Sequence, residues 1–238
     1  MKNSIEFKVY GREAMFTDPV SRIGGEKCSY HIPTYEALKG IVKSIYWKPT
    51  IIWVVDKVRV MKPIRTKTKC LKPLKYHEKG NSLAIYNYLC DVEYQVLAHF
   101  EWNLHRPELA QDCINGKHYS VALRALDKGG RQDIFLGTRE CQGYVEPCKF
   151  GEGKGEYDNI SELAFGFTFH GFDYPDETGQ KMFRSRFWNP KMVKGVIDFI
   201  RPEECLPEHC KPIHEMSMKP FGIDTNQRSV IKEEEVWQ

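Results

Sequence analysis

From Ser4 to Tyr10 polar and apolar residues alternate, with Ile5, Phe7 and Val9 on one side, and this predicts a first strand with one buried face. A loop from Gly11 to Pro33, containing Gly24–Gly25, follows. Thr34 is placed to cap a helix whose apolar stripe is Ala37, Leu38, Ile41, Val42 and Ile45. Lys39 and Lys43 fall on its other face, and Pro49 ends it near Trp47 by biasing Lys48 away from helical geometry. Ile51 to Met61 reads as a long strand, and a basic, Pro-containing connection leads to a further extended stretch from Leu83 to Leu104. Ser120 to Lys128 has the pattern of a second helix, stopped by Gly129–Gly130. Extended segments at Ile134–Leu136 and Gln142–Val145 complete the order β-α-β-β-α-β.

That order is the split βαβ of a ferredoxin-like (RRM-like) domain, an open antiparallel sheet backed by two helices. The expected class is therefore α+β, with this domain in residues 1–150. After the glycine-rich stretch Gly151–Gly155, three more strands are expected at Leu163–Phe172, Lys181–Trp188 and Met192–Ile200. The alternation of Phe165, Phe167 and Phe169 suits a small appended antiparallel sheet over residues 151–201. Residues 202–238 have few periodic apolar positions and read as an irregular tail.

Length and composition narrow the class. The chain has 238 residues, 41% hydrophobic and 28% charged, which is ordinary for a folded globular protein and unlike a disordered one. Its longest apolar run, Ile51–Val55, is far short of a bilayer span, and Glu6 and Lys8 interrupt any export signal. A soluble, cytoplasmic protein is expected, with its eight cysteines reduced and mostly structural. The net charge of +3 says little, but its distribution is uneven. Nine bases against one acid lie between Lys57 and Lys79, whereas eight acids face five bases from Arg201 to the end. A basic middle and an acidic tail suggest a polyanion-binding surface with the opposite charge segregated elsewhere.

Few residues carry recognisable chemistry. In Asn115–Gly116–Lys117–His118 a fixed cation stands beside a group that titrates near neutrality, an arrangement suited to phosphodiester cleavage; a solvated turn explains the same residues. Tyr46 closes the first helix and in a ferredoxin-like fold comes near the start of the second, although an isolated tyrosine there also reads as a core cap. The glycines around Gly129–Gly130–Arg131 and Leu136–Gly137–Thr138–Arg139 let backbone amides approach phosphates, or simply make tight turns. Asp112, Asp127 and Asp133 are scattered, read as solvated, and form no two-metal set. Cys205, His209, Cys210 and His214 lie close together, but their spacing is not that of a zinc finger or ribbon. No metal and no cofactor are expected.

The blocks Phe16–Pro19, Gly24–Tyr30, Pro33–Thr34, Gly40–Ile41, Tyr46–Pro49, Asn115–His118 and Leu136–Glu140 occur in an order that resembles a CRISPR family. It is the Cas-five family of the subtype I-C (Dvulg) systems, within the RAMP superfamily; Cys141 and the tail after Pro202 depart from its pattern. The resemblance implies a metal-independent endoribonuclease that cuts precursor CRISPR RNA in its repeat hairpin. Attack by the ribose 2′-hydroxyl would leave a 2′,3′-cyclic phosphate, with Tyr46, Lys117 and His118 as the catalytic trio. Lys39, Lys43, Lys48, Lys62, Arg65, Lys67, Lys69, Arg131 and Arg139 are the expected RNA contacts. The protein would keep the 5′ handle of the mature crRNA and join the backbone and large subunits of a Cascade surveillance complex. Two alternatives are a non-catalytic scaffold that grips the handle, and a metal-dependent DNA nuclease.

Overall fold

A computed structural model describes residues 2–19, 26–223 and 226–236. The Gly24–Gly25 pair of the family-like block lies outside the described residues. The strand expected at the start is β1 (Ser4–Ala14), and the helix capped by Thr34 is α1 (Tyr35–Ile45), with Ala37 N–H donating to Thr34 Oγ1 at 3.2 Å. Between them lies the short β2 (Lys27–Cys28). There follow β3 (Ile51–Val60), β4 (Thr66–Leu71), β5 (Ala84–Trp102) and α2 (Lys117–Asp127), then β6 (Ile134–Phe135) and β7 (Gln142–Pro147). The helix begins three residues before the expected Ser120, because the 3-10 turn Pro107–Asp112 and Gly116 bring the chain in earlier.

The central strands lie in the order β7–β1–β5–β3, each neighbouring pair antiparallel. Ile5, Phe7 and Val9 point into the same core cluster as Leu38, Ile41, Val42 and Ile45 of α1 and Val121, Ala122, Ala125 and Leu126 of α2. This is a mixed α/β architecture, dominated by antiparallel sheet and short of helix. The basic connection is not irregular. β4 pairs with the first part of β5, Thr66 opposite Leu89 through Leu71 opposite Ala84, and makes a hairpin that continues beyond the core.

The expected appended sheet is assembled differently. β9 (Thr168–Asp173) and β10 (Met182–Trp188) pair as expected, but the third strand is β13 (Cys210–Glu215), from the segment expected to be irregular. Met192–Ile200 instead forms β11 (Lys191–Val193) and β12 (Val196–Asp198). With β8 (Leu163–Ala164) they extend the main sheet from the open edge of β3, where Ile197 pairs with Val58. The Pro190 and Gly195 turns redirect the chain, and an unpaired β3 edge offers backbone partners that a short separate sheet would not. A one-turn helix, α3 (Pro175–Thr178), links β9 to β10, and α4 (Val230–Val236) ends the described chain.

Two glycines read as phosphate-binding have structural duties. Gly137 has φ +97°, and a Cβ there would stand 1.9 Å from the Met15 carbonyl oxygen, so only glycine fits. Beyond Gly130, the Arg131 and Gln132 amides donate to Ser44 C=O at 3.1 and 3.0 Å, which ties the ends of α1 and α2 together. Those amides are satisfied within the fold.

The small sheet packs on α1 through buried polar groups. His170 stacks on Tyr35, with ring centroids 4.4 Å apart, and its Nε2–H donates to Ile200 C=O at 3.0 Å. Its Nδ1 therefore accepts, and it faces Arg186 Nε at 3.4 Å. Burial, with the Arg186 charge, pushes the imidazole down to about 3. Between that value and the ordinary His range near 6.5 the unfolded chain holds a proton that the folded one does not, so stability falls as pH falls through this window. Urea unfolding from pH 7 to 5 is expected to lose about 1.4 kcal/mol per unit from this group once below ~6. His170→Phe should flatten the slope by about one proton; an unchanged slope would refute the assignment.

Candidate active site

α1 ends where Tyr46 turns extended (φ −158°, ψ 132°), and its carbonyl oxygen accepts from Trp53 Nε1–H at 2.7 Å. This pins the phenol under the helix end, fully buried. α2 begins at Gly116, whose φ of +80° lets the chain reverse directly into a helical turn. Lys117 is therefore the first helical residue, half-buried, and His118 the second, with no exposed surface.

Tyr46 and His118 are joined. Tyr46 Oη lies 3.0 Å from His118 Nδ1, and His118 Nε2 lies 2.7 Å from the carbonyl oxygen of Asp112. A carbonyl only accepts, so Nε2 carries the proton and Nδ1 receives the Tyr46 O–H. The imidazole packs edge-on to Trp102 at 5.3 Å. Burial holds it below the ordinary His range; the Asp112 carbonyl and carboxylate oppose that shift, and Lys48 adds to it. Burial raises the Tyr46 phenol above its usual value, reinforced by Glu233 and Asp112. The pair is thus a neutral imidazole accepting from a neutral phenol.

Asp112, expected to be solvated, is buried and central. One carboxylate oxygen accepts from Thr50 Oγ1–H at 2.9 Å and lies 3.8 Å from His118 Nε2; the other accepts from the Val230 amide at 2.5 Å. Asp127 and Asp133 are exposed, as expected. Nothing in the spacing of Asp112 marked its burial, because the two donors to its carboxylate lie 62 and 118 residues away. Thr50, Arg228, Val230 and Glu233 were equally unmarked.

The expected RNA contacts separate into groups. Lys48 is buried at the site, and its ammonium donates to Arg228 C=O and stands 3.6 Å from Glu233. Burial lowers the ammonium, while Glu233 and Asp112 push the other way. Arg131 is exposed and grips the same Glu233, Nη1 to Oε2 at 3.1 Å. Lys39, expected as an RNA contact, is instead buried and ion-paired to Glu177, which also takes Lys43 at 2.8 Å. Desolvation would raise the Glu177 carboxyl, but the two ammonium groups hold it down to about 2. Arg59, inside the basic segment, is also buried and braces Asp158.

Lys67 and Lys69 on β4 line an open groove of about 830 Å³ with Arg12, Gln142 and Tyr144, and Glu13, Asp91 and Glu140 share its wall, Lys69 being ion-paired to Glu13. An adjoining groove shares Gln142 and Tyr144 and runs to Lys128 and Arg131. Arg65 and Arg139 are exposed, and Lys62 pairs with Asp91 at 2.7 Å. None of the eight cysteines is paired in a disulfide, and among the described residues no three His, Cys, Asp or Glu side chains converge as a metal site.

The class of protein is thus a mixed α/β fold, dominated by antiparallel sheet, with a buried Tyr–His pair at the facing ends of α1 and α2. Comparison with known sequences gives its family. Residues 4–200 match the pattern of CRISPR-associated protein (Cas_Cas5), and the chain belongs to that family in its Cas5d, subtype I-C, branch. It is 45% identical over 65 residues to the CRISPR pre-crRNA endoribonuclease Cas5d of Mannheimia succiniciproducens, covering 27% of this chain and 28% of that one. It is 29% identical over 157 residues to the protein of the same name from Thermus thermophilus, covering 60% and 63%. The match thus spans about a quarter and somewhat under two thirds of these curated relatives. A solved structure of a CRISPR-associated protein superposes with a TM-score of 0.68 at 34% identity, over 85% of this chain and 94% of that one.

Asp112→Ala is expected to destabilise the protein by about 2–4 kcal/mol, because it strands the Thr50 hydroxyl and the Val230 amide. Thr50→Val removes a single donor and should cost about 1 kcal/mol. Equal losses in urea unfolding would show that Asp112 is not the hub.

Proposed function

We propose that the protein is a metal-independent endoribonuclease that cleaves precursor CRISPR RNA in its repeat hairpin. The observation that carries this reading is the hydrogen-bonded Tyr46–His118 pair, with Lys117 on the same helix start. The scissile step is attack of a ribose 2′-oxygen on the adjacent phosphorus, with expulsion of the 5′-oxygen. A phenol raised by burial is a poor base on its own. The 2′-OH proton passes to Tyr46 Oη as the Tyr46 proton passes to His118 Nδ1, so the phenol stays neutral throughout. The imidazolium formed lies 3.8 Å from the Asp112 carboxylate, which stabilises it. Lys117 balances charge on the phosphorane, and the imidazolium returns its proton to the departing 5′-oxygen.

On this reading RNA lies along the two grooves that share Tyr144, one lined by Lys67 and Lys69 and the other by Arg131, with Arg65, Lys62 and Arg139 as contacts outside them. Tyr144 is more than half exposed and offers a face for stacking a base. The unit that binds and cuts is residues 1–150, which we read as a ferredoxin-like domain. The product 5′ handle stays bound, and the protein joins other subunits of a surveillance complex in the cytoplasm. No helix among the described residues is long and apolar enough to cross a membrane. One observation favours a second reading, a non-catalytic scaffold: both Tyr46 and His118 are fully buried in this state.

Incubation with the cognate repeat RNA in EDTA discriminates these readings. Site-specific cutting is expected, lost about 10²–10⁴-fold in His118→Ala and abolished by a 2′-deoxy nucleotide at the cut. Because catalysis needs neutral His118, the rate should rise with pH and level off below the ordinary His range, near 6.5. Tight binding without cutting would establish the scaffold, and cutting of the 2′-deoxy RNA would overturn the mechanism.

A further inference from the structure

The end of the chain lies over the candidate active site. Val230 is fully buried, with its amide on Asp112, and Arg228 C=O accepts from Lys48. From the next turn, Glu233 reaches two cations of the site. Its Oε1 lies 3.6 Å from Lys48 Nζ and 3.3 Å from Arg131 Nη2, and its Oε2 lies 3.1 Å from Arg131 Nη1. Glu233 and Lys48 are almost wholly buried, while Arg131 opens onto the groove that continues to Tyr144.

A guanidinium forked on two carboxylate oxygens has the geometry with which it forks a phosphate, and an ammonium on the other side completes the cradle. A lysine side chain with 2% exposure needs a counter-anion, and in this state the chain supplies its own. Tyr46 and His118 meanwhile have no surface that a phosphodiester can touch. We propose that Lys48 and Arg131 form a backbone-phosphate subsite of the cutting centre, and that Glu233 fills it as an intramolecular stand-in. On binding, an RNA phosphate takes the place of the Glu233 carboxylate, α4 lifts, and Tyr46 and His118 become accessible. The inference rests on the reading of this site as RNA-cutting, and it names the phosphate position and its regulation.

The test uses the full-length protein and its repeat RNA carrying a 2′-deoxy nucleotide at the cut, so that binding is read without cleavage. Hydrogen exchange of residues 228–236 is followed with and without saturating RNA. Protection of the Val230 and Glu233 amides is expected to fall at least about tenfold on binding. Glu233→Gln, which keeps the shape but removes the competing charge, should tighten RNA binding about three- to tenfold. Bound RNA with unchanged tail protection, or a Glu233→Gln affinity equal to or weaker than wild type, would overturn the plug. Normal cutting of all-ribose RNA in that case leaves the endoribonuclease reading standing. Tail release and tighter Glu233→Gln binding without any cutting support the subsite and remove the endoribonuclease instead. Failure to bind RNA at all overturns both.

Discussion

The buried carboxylate of Asp112 is the point on which the site is built. Its two oxygens take a hydroxyl from the chain entering β3 and an amide from the start of α4, and its carbonyl takes the imidazole N–H of α2. Three segments far apart in sequence are thereby fixed on one residue, inside a region walled by Trp102, Phe100 and Tyr46. A carboxylate in such a place is costly unless each lone pair is answered, and here the answers come from groups that cannot move without exposing it. The tautomer of His118 follows. With Nε2–H committed to a carbonyl, Nδ1 has only Tyr46 to face, so the acceptor of the proton is set by main-chain geometry rather than by the pH of the solvent.

The same rule decides which basic residues are available to a ligand. Lys39 and Arg59 carry the charge that an RNA-binding surface needs, yet each is buried against its own carboxylate, Glu177 and Asp158. They hold α3 to α1 and the Glu152–Asp158 loop to β3, and removing Lys39 would leave Glu177 with Lys43 alone. Arg65, Lys67, Lys72 and Lys79 stand exposed on the β4–β5 hairpin and its tip, where their hydration is largely retained and a polyanion is attracted at little desolvation cost. Charge count along the chain does not separate these two kinds of cation; burial does.

The local pattern was readable where a single periodicity governed it. β1, α1 and β3 followed from alternation, a Thr cap and a proline, because each buries one face against one core. Tyr46 and His118 were legible for a related reason: each sits at a helix end, and the βαββαβ order brings those ends together. What failed was non-local. The third strand of the small sheet comes from Cys210–Glu215, and Val196–Asp198 joins β3 instead, because an open edge and a redirecting turn outweigh adjacency in sequence. Asp112 looked like any exposed acid, since the Thr50 hydroxyl and the Val230 amide that answer its carboxylate are far from it in sequence. Gly137 left two readings open, phosphate approach or a tight turn, and the contact that requires glycine is with the Met15 carbonyl, far from it in sequence.

The acidic tail meets cations that the charge count did not single out. The basic segment Lys57–Lys79 is not its partner; Glu233 lies instead against Lys48 and Arg131, one on each side of that segment in sequence. A cation site for a polyanion has a difficulty while empty: its ammonium groups repel one another and lose hydration when the site is dry enough to do chemistry. A carboxylate from the same chain relieves both costs and holds the cations in place. On the proposed reading a backbone phosphate with further contacts along the groove displaces it. The buried Tyr46–His118 pair is, on that reading, protected from water until a ligand long enough to fill the groove arrives, which would tie catalytic access to recognition of the substrate rather than to the chemistry of the pair.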